Sequence, residues 1–187
     1  MTHYTPKNHI LSTVTPTYVR GNYLIIDPCY FLGAEPFWSN FVSELYSDKF
    51  KGANPITMNA EGYDVFMFNT AYGDGVYPVF NNGMQIGEAG VDAGMLCVVS
   101  MEFIEKFCKE SIDLGVVVNL EETSTPEGEN GNLTLGNIFV DTAFEDDEEE
   151  EEDWWGDIED EENEIDDFAL EAEEVFAYNE ERELNNF

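Results

Sequence analysis

The chain has 187 residues, with 41 acidic side chains against 7 basic ones and a formal charge of -34. Such a charge excludes bare nucleic acid and anionic membrane surfaces as ligands, because like charges repel. It leaves basic protein surfaces or cations as partners. A hydrophobic content of 43% allows a buried core, so the length predicts one domain with an appendage or two small domains.

Residues 1–17, rich in Thr and Pro, predict an irregular arm or edge strand. They lack the apolar stretch of a signal peptide, and no apolar run approaches the ~20 residues of a bilayer span. Tyr23-Leu24-Ile25-Ile26 reads as a short strand stopped by Asp27-Pro28. Residues 35–47 read as a helix, with Pro36 in its first turn and Phe37, Phe41, Val42 and Leu45 at helical spacing. Residues 49–61 read as a linking loop. Val65-Phe66-Met67-Phe68 and residues 76–80 read as the two strands of a hairpin closed by Gly73-Asp74-Gly75.

Asn81-Asn82-Gly83 gives another turn, and residues 95–100 another strand. Residues 101–114 read as a second helix, capped by Ser100, with Phe103, Ile104, Phe107 and Cys108 on its apolar face and Gly115 at its end. Val116-Val117-Val118 and residues 133–140 complete the strands, separated by a polar loop at 121–132. The fold class is α+β: a mainly antiparallel sheet with two helices, followed by an acidic tail containing an amphipathic helix.

The expected domains are a compact unit at 1–140, an acidic extended linker with a tryptophan pair at 141–164, and an acidic amphipathic helix at 165–184. Residues 141–187 hold 24 of the acids and one base, Arg182, while residues 1–140 are themselves at -11. Residues 145–153 are nine consecutive carboxylates, which repel each other and stay extended and solvated. Trp154-Trp155 interrupts them. Beyond, Ile165, Phe168, Ala169, Ala172, Val175 and Phe176 fall on one helical face, with glutamates over much of the rest. Large aromatics and an amphipathic helix inside acid runs need a surface to bury against. The partner-binding candidates are therefore Glu148, Glu149, Glu150, Glu151, Glu152, Asp153, Trp154, Trp155, Glu171, Glu173, Glu174 and Glu180.

No catalytic residue, metal site or cofactor is expected. Cys29, Cys97 and Cys108 lack metal-type spacing and read as buried thiols of a reducing cytosol. Cys29 has no nearby base, because His3 and His9 lie in the arm, and negative surroundings raise a thiol pKa. Asp27, Asp74 and Asp92 stand at strand ends beside Gly or Pro. Turn chemistry accounts for them, though a sheet that gathered them could make a cation or acid/base site. Gly87, Gly90 and Gly94 are followed by no Lys-Ser or Lys-Thr, so they make no phosphate loop.

Three segments, YLIIDPCY at 23–30, TAYGDGVYP at 70–78 and VDAGMLCVV at 91–99, together resemble small uncharacterised bacteriophage proteins with a DPCY strand end, a GDG turn and a VDAG strand. The resemblance covers residues 20–120 and omits the tail. It implies a phage origin and, with no agreed activity in that group, carries over no catalytic residues. Combined with the charge, it leads to a non-enzymatic protein of the host cell cytoplasm. That protein would bind and inhibit a basic nucleic-acid-binding protein by imitating DNA. A helix rising ~1.5 Å per residue with half its residues acidic has a charge spacing near that of a single nucleic-acid strand. The alternative is a virion structural or assembly protein with an acidic regulatory tail.

Overall fold

The computed structural model describes residues 3–143. The expectations for the carboxylate run, the tryptophan pair and the amphipathic helix lie outside the described residues. Within them the fold is α+β, and every strand pair is antiparallel.

The strands are β1 (His9–Ser12), β2 (Gly21–Ile26), β3 (Ile56–Ala60), β4 (Tyr63–Asn69), β5 (Gly75–Asn81), β6 (Met84–Val91), β7 (Met95–Ser100), β8 (Val116–Leu120), β9 (Glu127–Glu129), β10 (Asn132–Leu135) and β11 (Ile138–Val140). The helices are α1 (Cys29–Leu32), α2 (Phe37–Leu45) and α3 (Met101–Phe107). One sheet was expected and two form. The first has six strands in the order β1-β3-β4-β7-β2-β8, and the second has five in the order β6-β5-β11-β10-β9.

The layering explains the continuous apolar runs. In β2, Leu24 and Ile26 enter a core shared with the helices, whereas Tyr23 and Ile25 enter a second core shared with the five-stranded sheet. Strands β4 and β7 divide the same way, with Val65 and Cys97 on the helix side and Phe66 and Val98 on the sheet side. A strand buried on both faces has no polar alternation to show. In β8 only Val116, Val118 and Leu120 are buried, so that edge strand does alternate.

Several element expectations are corrected. Gly73-Asp74-Gly75 does not close a hairpin: both flanks of β4 are occupied by β3 and β7, so the chain crosses to the other sheet and β5 pairs with β6 and β11. The hairpin lies at Asn82-Gly83, whose φ values of 50° and 76° suit a tight turn between twisted strands. The loop at 49–61 contains β3, whose Thr57 and Asn59 disguise a strand that buries Ile56, Met58 and Ala60. The single strand expected at 133–140 is two, split where Gly136 takes a φ of 57°.

The helix expected over 101–114 ends at Phe107. Ser100 accepts the Phe103 amide at 3.3 Å and caps it, but Cys108 turns to a φ of -151° and a 3-10 segment follows. The tighter segment brings the buried Ser111 hydroxyl to the Tyr30 carbonyl at 3.3 Å. The N-terminal segment is tied in as well: the Tyr4 amide donates to the Phe31 carbonyl at 2.7 Å, and His9 meets Glu44 at 3.1 Å.

Tyr18 fastens the middle of the first sheet. Its buried hydroxyl accepts the Phe66 amide at 3.0 Å and donates to the Val98 carbonyl at 3.0 Å. Tyr18→Phe keeps the ring but strands two buried backbone groups. The expected loss is about 1–3 kcal/mol in a urea titration; an unchanged midpoint would show the bonds to be dispensable.

Candidate functional site

Three turns meet at one end of the six-stranded sheet: the Asp27-Pro28-Cys29 turn after β2, the 70–75 crossing after β4, and the 92–94 turn before β7. Asp27 is fully buried, and three backbone amides converge on it. Oδ1 accepts the Cys29 amide at 2.7 Å, and Oδ2 accepts those of Asp92 and Ala93 at 2.7 and 2.8 Å. Thr70 joins the other two turns, its hydroxyl 2.6 Å from the Gly73 carbonyl and 3.2 Å from that of Gly94. The Tyr77 hydroxyl donates to Gly73 at 3.0 Å.

The structure therefore gathers Asp27, Asp74 and Asp92 near Cys29. Their roles differ. The Asp27 oxygens already hold three N–H groups, while Asp74 and Asp92 are exposed at turns. No group of His, Cys, Asp and Glu arranged to hold a metal occurs among the described residues.

The thiols are poorly suited to nucleophilic work. Burial pushes Cys29 well up, reinforced by the Asp27 carboxylate and then by Asp92 and Asp74. Burial also raises Cys97, and its Sγ donates to the Ile26 carbonyl at 3.1 Å. Cys108 is pushed from 9.0 up to about 12 by burial. Tyr30 rises from 10.0 to about 12 through partial burial and its hydrogen bond to Asp92.

These groups hold their protons more tightly folded than unfolded. Their stabilising contribution is thus complete below about pH 9 and lost as pH climbs toward 12. Urea midpoints taken from pH 8 to 11 should fall steadily; a flat or rising series would contradict the burial of these groups.

An apolar recess of about 160 Å³ lies between α2 and β3, lined by Leu45, Phe50, Ile56, Met67 and Met95. It has room for one side chain rather than a drug-sized ligand, which needs about 300 Å³ or more.

Acids outnumber bases within the domain, 17 against 6 over residues 1–140. Among the described residues, His9 Nε2 meets the Glu44 carboxylate at 3.1 Å. Two of the lysines sit over rings: Lys49 lies 4.5 Å from the Phe50 centroid, and Lys106 lies 5.0 Å from that of Phe107. The partner-binding candidates at 148–155 and at 171, 173, 174 and 180 lie outside the described residues.

The outer face of the five-stranded sheet was not foreseen. Phe80 of β5 and Phe139 of β11 are opposite each other in register, with ring centroids 6.1 Å apart. Each follows or precedes a fully buried valine, Val79 or Val140, so period-2 alternation turns both rings outward. That alternation was present in the sequence but hidden by reading 133–140 as one strand.

Comparison with protein-family models, curated proteins and solved structures finds no match. Any functional reading rests on the chain's own residues. No helix among the described residues is long and apolar enough to cross a membrane.

Proposed function

We propose that this is a non-enzymatic phage protein that binds, and thereby inhibits, a basic nucleic-acid-binding protein of the host, offering carboxylates where that protein accepts phosphates. The observation that carries the reading is the charge: -34 overall, in a chain whose residues 1–140 already hold 17 acids against 6 bases. Carboxylates left in solvent attract a basic surface over long range and release counterions when they dock. The tryptophan pair at 154 and 155 supplies anchors beside the longest acid run, and the glutamates at 171, 173, 174 and 180 extend the charged surface.

The test uses the full chain. One variant has residues 148–153 changed to their amides and Trp154 and Trp155 changed to Ala. Immobilised wild type should retain a basic nucleic-acid-binding protein from host lysate at low salt and release it as salt rises, because exposed charges are screened beyond ~10 Å at 0.1 M. The variant should bind at least about tenfold more weakly, the loss of roughly 1.4 kcal/mol or more. Equal retention by both proteins would sink the proposal.

A further inference from the structure

We infer that the outer face of the five-stranded sheet is a docking platform for an extended, arginine-bearing segment of a protein partner. This rests on the reading that the partner is basic, and it places part of the contact on the domain itself.

The platform follows from register. One row across the sheet runs Gln85, Phe80, Phe139, Thr134, Glu127, each residue opposite the next on the adjacent strand. Two outward rings occupy the centre of the row, and a carboxylate ends it. The neighbouring row begins with Glu88 opposite Pro78 and ends with Glu129 opposite Asn132. Gln85 and Glu88 share this face, joined by a 3.2 Å hydrogen bond. Between Phe139 and the two glutamates of β9 lies a shallow groove of about 240 Å³. Helices cover one side of the six-stranded sheet and the five-stranded sheet covers the other, but among the described residues nothing covers this outer face.

Charge and shape choose the occupant. An open sheet with outward aromatics is also how single-stranded nucleic acid is stacked, but those platforms are ringed by cations. This one is ringed by Glu88, Glu127 and Glu129, which repel phosphate. A second copy carries the same acids and is repelled likewise. A guanidinium satisfies both parts of the surface: its flat face stacks on a phenyl ring while its N–H groups reach a carboxylate. An ammonium can do only one of these well. Successive arginines on an extended strand, spaced two apart, lie on one side about 6.6 Å from each other, close to the spacing of the two rings.

The experiment is an amide-resolved NMR titration of the full-length chain with a synthetic peptide of alternating arginine and serine. A lysine–serine peptide of equal length is the comparator. Amides of 76–81, 127–135 and 138–141 should shift, with the arginine peptide binding several-fold more tightly than the lysine peptide at that face. In Phe80→Thr/Phe139→Thr the affinity read from those amides should drop about tenfold. Glu127→Gln/Glu129→Gln changes only an exposed edge and should weaken it as well, which keeps the test valid if the double phenylalanine variant misfolds.

Shifts confined to residues 144–187, or spread evenly over every acidic position, would overturn the inference. So would an oligonucleotide that moves the same amides, or self-association through this face. The tail variant of the preceding section reads out separately. A silent face with persistent tail-dependent capture defeats this inference alone.

Discussion

Asp27→Asn should cost about 3 kcal/mol or more of stability, although the two side chains have the same shape. Both carboxylate oxygens of Asp27 accept buried backbone N–H groups, one from its own turn and two from the turn at Asp92 and Ala93. An amide has one acceptor end and one donor end. In either orientation its NH₂ would face an N–H donor, leaving at least one charge-assisted bond lost and one buried donor unsatisfied. Native stabilities run only to about 5–15 kcal/mol, so this single atom change removes a large share. For a domain of this size the melting temperature should fall by about 10 °C. Asp27→Ala should do at least as much. The measurement also separates two accounts of the DPCY turn. If Asp27→Asn folds with wild-type stability but loses its biological effect, the aspartate has a chemical role and the non-enzymatic reading fails at that position.

Phe103→Ala should cost about 3–5 kcal/mol, the range for emptying a fully buried phenylalanine site. Phe103 is the centre of the helix-side core, with ring centroids of Tyr4, Phe31, Tyr63 and Phe107 at 5.4, 6.1, 5.6 and 5.0 Å. These rings come from the N-terminal segment, α1, β4 and α3. The space left cannot be filled by the movement of one element, so collapse recovers little. Phe103→Leu should recover more than half of the loss. Urea unfolding of both variants checks the pair, and a cost below about 1 kcal/mol for the alanine would show that the cluster repacks.

How much of this was legible in the sequence differs by residue. Ser100 and Glu102 announced α3, and Phe37, Phe41 and Leu45 announced α2, because caps and helical spacing are local signals. The strands β2, β4 and β7 were visible as apolar runs, but their burial on two faces was not. That burial depends on a second sheet assembled from residues up to 140. Gly73-Asp74-Gly75 has hairpin chemistry, and only the occupied edges of β4 show that the chain must leave the sheet there. Asp27 was recognised as a turn residue through its neighbour Pro28. Its two long-range bonds, to amides 65 and 66 positions away, have no sequence signature. The Phe80–Phe139 pair was hidden differently: an unbroken strand over 133–140 puts Phe139 on the buried face of Leu133 and Leu135, and only the break at Gly136 turns it outward beside Phe80.

The interleaving of the two sheets has a kinetic consequence. Strands β5 and β6 lie between β4 and β7 in the chain, and β9 to β11 follow β8, so the chain leaves and re-enters the first sheet before the second is complete. The second sheet waits for β9 to β11, and β2 must wait for partners as distant as Ser100 and Leu120. Loop closure over such separations comes before the contacts that reward it. The domain is therefore expected to fold in milliseconds to seconds, with a single cooperative transition instead of two. A newly made chain is committed only after β11 has been synthesised. By then the ribosome has already delivered the strands that carry both phenylalanines, and the acid-rich residues 144–187 emerge after them.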